Sequence, residues 1–326
     1  MAARKIPSSQ RGADDRGFRA GTGFFALLVV LLVAGIGFEL FRTSHLTIAK
    51  FGFHFWRTRT WDPVSGEFGA LPFIWGTLYS SALAMLISTP IAIGIAIFLS
   101  ELSPGPLRTP LTFLTELLAA IPSIVYGLWG IFVLVPVVRH LEVLAPPWLK
   151  KVPLFSGPPL GVGMLSAALI LAIMVIPFSS SVAREVLRAV PATQREAAYA
   201  LGATRWETIR TALYYGRTGI LGAVMLGFGR ALGETMAVTM VIGNNPQVSA
   251  SLFAPQHTMA AVIANEFTEA ADDLYLSALV EIGLVLFVLT VVINGISRFL
   301  IWRTGRVVVA KEDDAAFPLA ATGVRA

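Results

Sequence analysis

The chain of 326 residues has no cysteine, which excludes thiol chemistry, disulfide bonds and metal sites built on Cys ligands. Charged residues are also scarce, at 14% of the chain, against roughly 25% in a soluble domain. Hydrophobic residues make up 55%, and the mean hydropathy is +0.72. A soluble fold of this length needs more polar surface. The composition therefore excludes an ordinary soluble enzyme and a disordered chain, and it indicates a protein that crosses a membrane several times.

The usual signatures of catalysis are missing as well. None of the five lysines follows a glycine, so the chain has no GxxxxGK[ST] loop for nucleotide phosphates. It contains neither HExxH nor GxSxG, and its four histidines are scattered outside the apolar stretches. We therefore expect a chain that is not an enzyme, that binds no metal and that has no ATPase site of its own.

Six stretches have the roughly 20 apolar residues that a membrane-spanning helix needs. The first is longer than the 7–15 residue core typical of a signal peptide and lacks a following A-x-A site, which favours a retained span. The third is too long for one straight helix, and Pro122 is expected to break or bend it. The sequence predicts an all-α, polytopic protein with a transmembrane domain over 22–303 and spans at about 22–42, 76–100, 109–138, 160–182, 218–243 and 274–300.

The distribution of Lys and Arg predicts the orientation. The two ends, a short loop after the second stretch and the 183–217 loop together carry 17 of these residues, and the loops on the other side carry seven. Basic residues are enriched on the cytoplasmic side of membrane proteins. We therefore expect cytoplasmic tails at 1–21 and 304–326, with the 183–217 loop on the same side.

Residues 191–217 read PATQREAAYALGATRWETIRTALYYGR and predict a helical hairpin. Gly202 stands where the first helix needs a left-handed residue to end. Two Thr–Glu pairs have the spacing of a capping box, Thr193 with Glu196 and Thr204 with Glu207. On residue pattern alone, two interpretations stay open: a hairpin that inserts into a groove of a partner protein, or an ordinary surface loop.

Ionisable residues at membrane depth are functional candidates because they are costly to place there. Arg230 is the one basic residue well inside the six stretches, away from their ends, and Glu234 follows it by four residues, on the same face of a continuous helix. Arg offers a planar fork of donors that suits an oxyanion. The pair therefore predicts either an anion path or a structural ion pair. For Glu116 and Glu281 we expect interhelical hydrogen bonds.

Within the hairpin, Glu196-Ala197-Ala198, three further residues and Gly202 resemble the EAA motif of bacterial ABC importer permeases. The Leu-Pro that ends the family motif is replaced here by Tyr214-Tyr215. The resemblance implies a type I ABC importer permease fold. It also implies that the hairpin docks on an ATPase subunit.

Four blocks are similar to permeases of phosphate-specific importers, of PstC type: FGALPFIWGTL (68–78), ELLAAIPSIVYGLWGIFVLVP (116–136), FGRALGETMAVTMVIGN (228–244) and TMAAVIANEF (258–267). The resemblance implies that Arg230 and Glu234 line a phosphate path in a bacterial inner membrane. It further implies a PstA-like second permease, two PstB-like ATPase subunits that use ATP and Mg²⁺, and a PstS-like phosphate-binding protein.

Two alternatives remain at this stage. One is an ABC permease for another oxyanion, sulfate or molybdate, because Arg230 suits those anions equally well. The other is a carrier driven by an ion gradient. Such carriers are built from inverted repeats with broken helices in both halves, and the chain shows no convincing internal repeat.

Overall fold

The computed structural model describes residues 8–312, and this part of the chain is built from helices and loops. Two isolated backbone bridges, Asp62 with Glu67 and Gly243 with Gln256, are its only extended pairings. Residues 1–7 and 313–326 of the two predicted tails lie outside the described residues. The helices are α1 Ser8–Thr43, α2 His45–Phe51, α3 Leu71–Ile97, α4 Gly105–Ala120, α5 Ser123–Trp129, α6 Val135–Leu144, α7 Pro147–Lys150, α8 Met164–Ala189, α9 Ala192–Ala200, α10 Arg205–Tyr215, α11 Arg217–Gly233, α12 Met236–Val241, α13 Met259–Glu266 and α14 Asp273–Glu312.

The predicted all-α class is confirmed. Helices α1 and α14 extend into segments predicted as tails, because α1 begins at Ser8 and α14 ends at Glu312. Five helical segments of the described chain are long and apolar enough to cross a membrane: Gly17–Thr43, Leu71–Leu102, Ser123–Leu144, Met164–Ala189 and Asp273–Gly305. They correspond to five of the six predicted spans.

The remaining predicted span, 218–243, is discontinuous. It consists of α11 with 17 residues and α12 with six, separated by Glu234 and Thr235. Glu234 has an extended backbone, with ψ of 127°. This break was not predicted, and it changes which side chains share a helix face.

The third predicted span is broken at the expected place. Ile121 and Pro122 have extended ψ angles of 130° and 140°, so α4 ends and α5 begins there. Proline has no backbone N–H to continue the helical bonds, and it disfavours helical geometry in the residue before it. A π-helical turn at Gly130–Leu134 then joins α5 to α6.

The helical segments that follow the two breaks, α5 and α12, pack against each other. A Cβ on Gly127 would lie 2.7 Å from Met240 Sδ and 3.1 Å from Ala237 Cα. A side chain at this position would crowd α12, so glycine suits the close approach of the two backbones. The two discontinuities are therefore parts of one packed region.

Helix α8 forms the centre of the bundle and packs against α3, α4 and α11. Its buried residues are mostly small or aliphatic, including Ala167, Ile170 and Val175. Helix α1 instead contacts mainly α14 and α2, and its apolar side chains are exposed. An exposed apolar helix of this length is suited to contact with lipid.

Candidate transport path and docking hairpin

Arg230 lies on the last turn of α11, next to the break. Its guanidinium carbon is 5.4 Å from the centroid of the Phe178 ring on α8. Its Nε is buried and has no hydrogen-bond partner, and no acidic group lies within ion-pair distance of it among the described residues. A buried N–H without an acceptor is costly. The side chain therefore has unused donor capacity for an anion.

The surroundings of Arg230 are packed on one side and open on the other. Gly227 abuts Ser179 and Val175 of α8 so closely that a Cβ would clash with them. At Gly229 and Gly233, a Cβ would meet no atom within 4 Å other than those of its chain neighbours and of its own helix backbone. Helix α11 is thus fixed to α8, while the flank beside Arg230 faces open space.

The predicted pairing of Arg230 with Glu234 on one helix face is wrong. Helix α11 ends at Gly233, and the i,i+4 relation holds only in a continuous helix. Glu234 Oε1 instead accepts a hydrogen bond of 3.3 Å from the backbone N–H of Ala237, at the start of α12. The role of both residues in a substrate path stays a prediction.

The interhelical hydrogen bond expected for Glu116 is confirmed, and its partner is Arg184. The Arg184 guanidinium donates to Glu116 Oε1 at 2.9 Å, to Thr112 Oγ1 at 2.7 Å and to Glu185 Oε1 at 2.8 Å. Sequence reasoning missed this partner because it placed Arg184 in the loop after the fourth span. The residue lies inside α8 and is only 4% exposed. Arg184 is therefore a buried basic side chain of the bundle, whereas Arg230 is only partly buried.

Glu281 gives a different result. It is buried on α14, and its Oε2 has no hydrogen-bond partner. The hydrogen-bonding neighbour of the Glu281 carboxyl group is instead Trp56, in the turn between α2 and α3, so the partner is a loop residue and not a residue of another helix.

The predicted hairpin is present as α9 and α10. They are joined by a turn in which Gly202 has φ of +82°, the left-handed conformation expected from the sequence. The capping box of Thr204 and Glu207 is confirmed, with Glu207 Oε2 accepting from the Thr204 N–H at 2.7 Å. Hydrogen bonds from the backbone and side chain of Thr204 hold the pKa of Glu207 below its usual value.

The other predicted capping box is wrong. Helix α9 begins at Ala192, and the residue before it is Pro191, with an extended ψ of 138° and no side-chain cap. Thr193 therefore lies inside the first turn. Pro191 is compatible with the start of α9, because the N–H groups at a helix start have no acceptor within the helix and proline loses nothing by lacking one.

The EAA-like residues lie on the surface of the hairpin. Glu196, Ala197 and Gly202 are exposed, and Ala198 is partly buried. Apolar side chains accompany them: Leu201 is 90% exposed, and Tyr199 and Trp206 are also exposed. A helical element that presents apolar groups in this way is suited to a groove on another protein.

A second ion pair, between Glu101 and Arg195, was also missed from the sequence. Glu101 belongs to the π-helical turn that ends the α3 segment, and Arg195 lies on α9. Arg195 Nη2 is 2.6 Å from Glu101 Oε1. The pair joins residues 94 positions apart, so no local pattern could have indicated it.

Comparison with known proteins agrees with this architecture. The sequence pattern of the family described as "binding-protein-dependent transport system inner membrane component" matches residues 88–306. The chain is also similar to the inward-facing MetNI methionine ABC transporter, with a TM-score of 0.55 over 71% of this chain and 94% of that one. At 15% identity this likeness concerns the fold alone. It confirms the predicted permease fold.

Relatives found by sequence are much more similar to this chain than the solved structure is. The phosphate transport system permease protein PstC of Mesorhizobium japonicum is 50% identical over 295 residues, which is 89% of this chain and 90% of that protein. PstC of Pasteurella multocida is 49% identical over 88% of this chain and 91% of its own. A probable PstC of Methanocaldococcus jannaschii is 38% identical over 85% and 90%. The resemblance to PstC-type permeases is confirmed.

The matched region contains both broken segments and the hairpin, and the relatives extend over most of the chain. The protein is therefore a multi-pass membrane protein, and it belongs to the family of binding-protein-dependent transport system inner membrane components.

Proposed function

We propose that the chain is the transmembrane permease subunit of an ATP-driven importer of inorganic phosphate and that it supplies half of the translocation path. The observation that carries this proposal is the 50% identity to a phosphate transport system permease over 89% of the chain. ATP hydrolysis and Mg²⁺ binding would take place in a partner subunit, and this chain would serve as the transport subunit.

Arg230 is the residue we assign to phosphate. Its Nε lacks an acceptor, and the flank beside it is open at Gly229 and Gly233. A second, PstA-like permease packed on this face would close the path and lower the local dielectric. An Arg–phosphate contact is stronger there than in water. Glu234, at the break after α11, would line the same path.

We assign the hairpin to the ATPase subunits. Glu196, Ala197, Ala198 and Gly202 would meet one of two PstB-like subunits on the cytoplasmic side, and the excess of Lys and Arg around the hairpin supports this orientation. A PstS-like protein would deliver phosphate at the opposite end. ATP binding would close the ATPases and move the hairpins, so that the path opens outward. Hydrolysis would then restore the inward-facing state.

Uptake of labelled phosphate tests the substrate. The chain is expressed with its neighbouring transport genes in cells that lack their own phosphate importers, and unlabelled sulfate or molybdate is added as competitor. We expect uptake that requires the ATPase and resists both competitors. Uptake abolished by sulfate would indicate another oxyanion. Uptake that persists with an inactive ATPase would indicate a gradient-driven carrier.

Docking is tested by copurification of the ATPase. Leu201→Glu places a charge at the most exposed apolar position of the hairpin, and we expect the amount of bound ATPase to fall at least about tenfold, as for loss of an interface hot spot. Val64→Glu is the control, because Val64 is 97% exposed at the opposite end of the bundle. Equal recovery with both variants would contradict docking through this surface.

A further inference from the structure

We infer that Glu101 and Arg195 form a rigid link that passes movement of the hairpin to α4 and so to the break at Ile121 and Pro122. This inference rests on the proposed function, because it concerns how an ATP-driven permease moves its path. Both are positioning residues, and neither is assigned to contact phosphate.

The link begins with one carboxylate that holds the first hairpin helix. Arg195 Nε and Nη2 donate to Glu101 Oε2 and Oε1 at 3.2 and 2.6 Å, which is a bidentate pair. The second hairpin helix is held through the backbone of the same residue, because Arg205 Nη2 donates to Glu101 O at 2.9 Å. Glu101 therefore contacts both α9 and α10.

Arg195 also connects the hairpin to the central helix. Its Nη1 donates to Val190 O and its Nη2 to Leu187 O, both at 2.8 Å, at the end of α8. The side chains of Arg195 and Glu101 are 22% and 13% exposed. Partial burial and a fixed fork geometry distinguish this pair from exposed ion pairs, which contribute little to stability. The hairpin, α8 and the end of the α3 segment thus meet at one point.

From Glu101 the contacts continue into α4. The helix begins only four residues later at Gly105, and Arg108 Nη2 donates to Ser100 O at 2.9 Å. This bond ties the first turn of α4 to the turn that carries Glu101. Further along, Arg184 holds α4 to α8 through Thr112 and Glu116.

At its far end, α4 is connected to the broken region. The Tyr126 hydroxyl on α5 donates to Leu118 O on α4 at 2.8 Å and so bridges the break. Helix α5 packs on α12, which follows Arg230 after the second break. A continuous series of polar and packing contacts therefore runs from the hairpin to the candidate phosphate site.

A spatial series of contacts does not by itself establish coupling, so the test measures coupling directly. The complete transporter is reconstituted in vesicles, and phosphate uptake and ATP hydrolysis are recorded together. For Glu101→Gln we expect the phosphate transported per ATP to fall at least about fivefold, the lower end of usual coupling between sites. We expect the ATPase to copurify as in the wild type, because the hairpin keeps its own turn and capping box.

Arg188→Gln is the matched control. Arg188 lies on the last turns of α8, is exposed, and pairs with the equally exposed Glu185 at 3.7 Å. Its ratio of transport to hydrolysis should stay at the wild-type value. An unchanged ratio in Glu101→Gln would overturn the link. Loss of the ATPase from that variant would also overturn it, because Glu101 would then only support the docking surface.

A double variant tests rigidity and uses the absence of cysteine from the chain. Glu101→Cys with Arg195→Cys removes the ion pair and should lower the ratio. A short bifunctional thiol reagent that bridges the two positions should restore it. Continued uncoupling after bridging would show that the contact must open during transport, against a rigid link. A wild-type transporter that hydrolyses ATP without taking up phosphate would overturn the proposed function itself, and the link with it.

Discussion

Arg230 is the residue with the most direct consequence for transport, because its Nε is buried without an acceptor beside an open flank. Arg230→Gln removes the charge but keeps a polar side chain. Hydrogen bonds to charged groups contribute about 1.5–3 kcal/mol, so uptake of labelled phosphate should fall roughly 10- to 100-fold. In Arg230→Lys the uptake should fall less, because lysine keeps the positive charge but lacks the planar fork of donors of the guanidinium group. Wild-type uptake by Arg230→Gln would remove this residue from the path.

Two threonines of the hairpin allow a second test at the residue scale. Thr204 caps α10 through the backbone N–H of Glu207, whereas Thr193 caps nothing. Thr204→Ala should weaken the start of α10 by about 1 kcal/mol, a usual value for a lost cap. Hydrogen exchange at the first amides of α10 would be several times faster. Thr193→Ala should leave exchange in α9 near its original rate, and an equal effect of both changes would argue against the capping assignment.

These residues also indicate how far local reasoning extends. The cap at Thr204 and the left-handed Gly202 were predicted, because each depends only on neighbours within a few positions. The cap at Thr193 is not formed because α9 begins at Ala192, two residues before the first helical position that a cap at Thr193 requires. A pattern of residue types predicts a helix end well, but a shift of one or two residues changes which side chain caps it.

At the scale of elements, the loop 243–258 has a dependence on pH that can be measured. His257 in this loop is 1% exposed, its ring lies 5.4 Å from that of Phe73, and burial lowers its pKa to about 4. Its folded pKa is thus below the usual value of about 6.5. The neutral ring stabilises the fold above pH 6.5, and this stability is lost as the pH falls from about 6.5 toward 4, by roughly 3 kcal/mol in total.

Melting temperatures of the purified protein between pH 7.5 and 5 would test this expectation. The wild type should melt at progressively lower temperature as the pH falls, and His257→Gln should flatten that slope even if it lowers stability throughout. His54→Gln is a suitable control, because His54 is exposed. A slope that is the same in His257→Gln and the wild type would assign the pH dependence to other groups.

The two broken helices differ in how visible they are in the sequence. Pro122 indicates the first break, because proline removes a helical hydrogen bond. The second break, at Glu234 and Thr235, contains no proline. Both residues are tolerated in helices, so their types do not indicate a break. The chain nevertheless leaves helical geometry there, and the segment that follows, α12, packs on α5. Tertiary packing overrides local preference at this position.

For the whole molecule, the orientation in the membrane is the property to test. The bundle has the hairpin at one end and Val64 at the other, and the Lys and Arg distribution predicts a cytoplasmic hairpin. Because the chain has no cysteine, Val64→Cys and Arg210→Cys each introduce one reactive thiol. A membrane-impermeant maleimide should label Val64→Cys in intact spheroplasts and Arg210→Cys only after permeabilisation. The reverse pattern would invert the proposed direction of transport.

The sequence by itself determined the class of protein and the position of its local features. Apolar stretches of sufficient length indicated membrane spans, because an apolar helix is stable in lipid whatever it packs against. The hairpin, its turn at Gly202 and the break at Pro122 followed from residues adjacent in the chain. The EAA-like and phosphate-permease blocks then indicated the family.

Only the tertiary structure decided which charged residues meet. Glu101 pairs with Arg195 and Glu116 with Arg184, over separations of 94 and 68 residues. Such pairs depend on how helices pack and where each one ends, and packing is a property of the whole bundle. For the same reason, Arg230 and Glu234 are close in sequence but are not paired: the helix that would have aligned them ends between them, at Gly233.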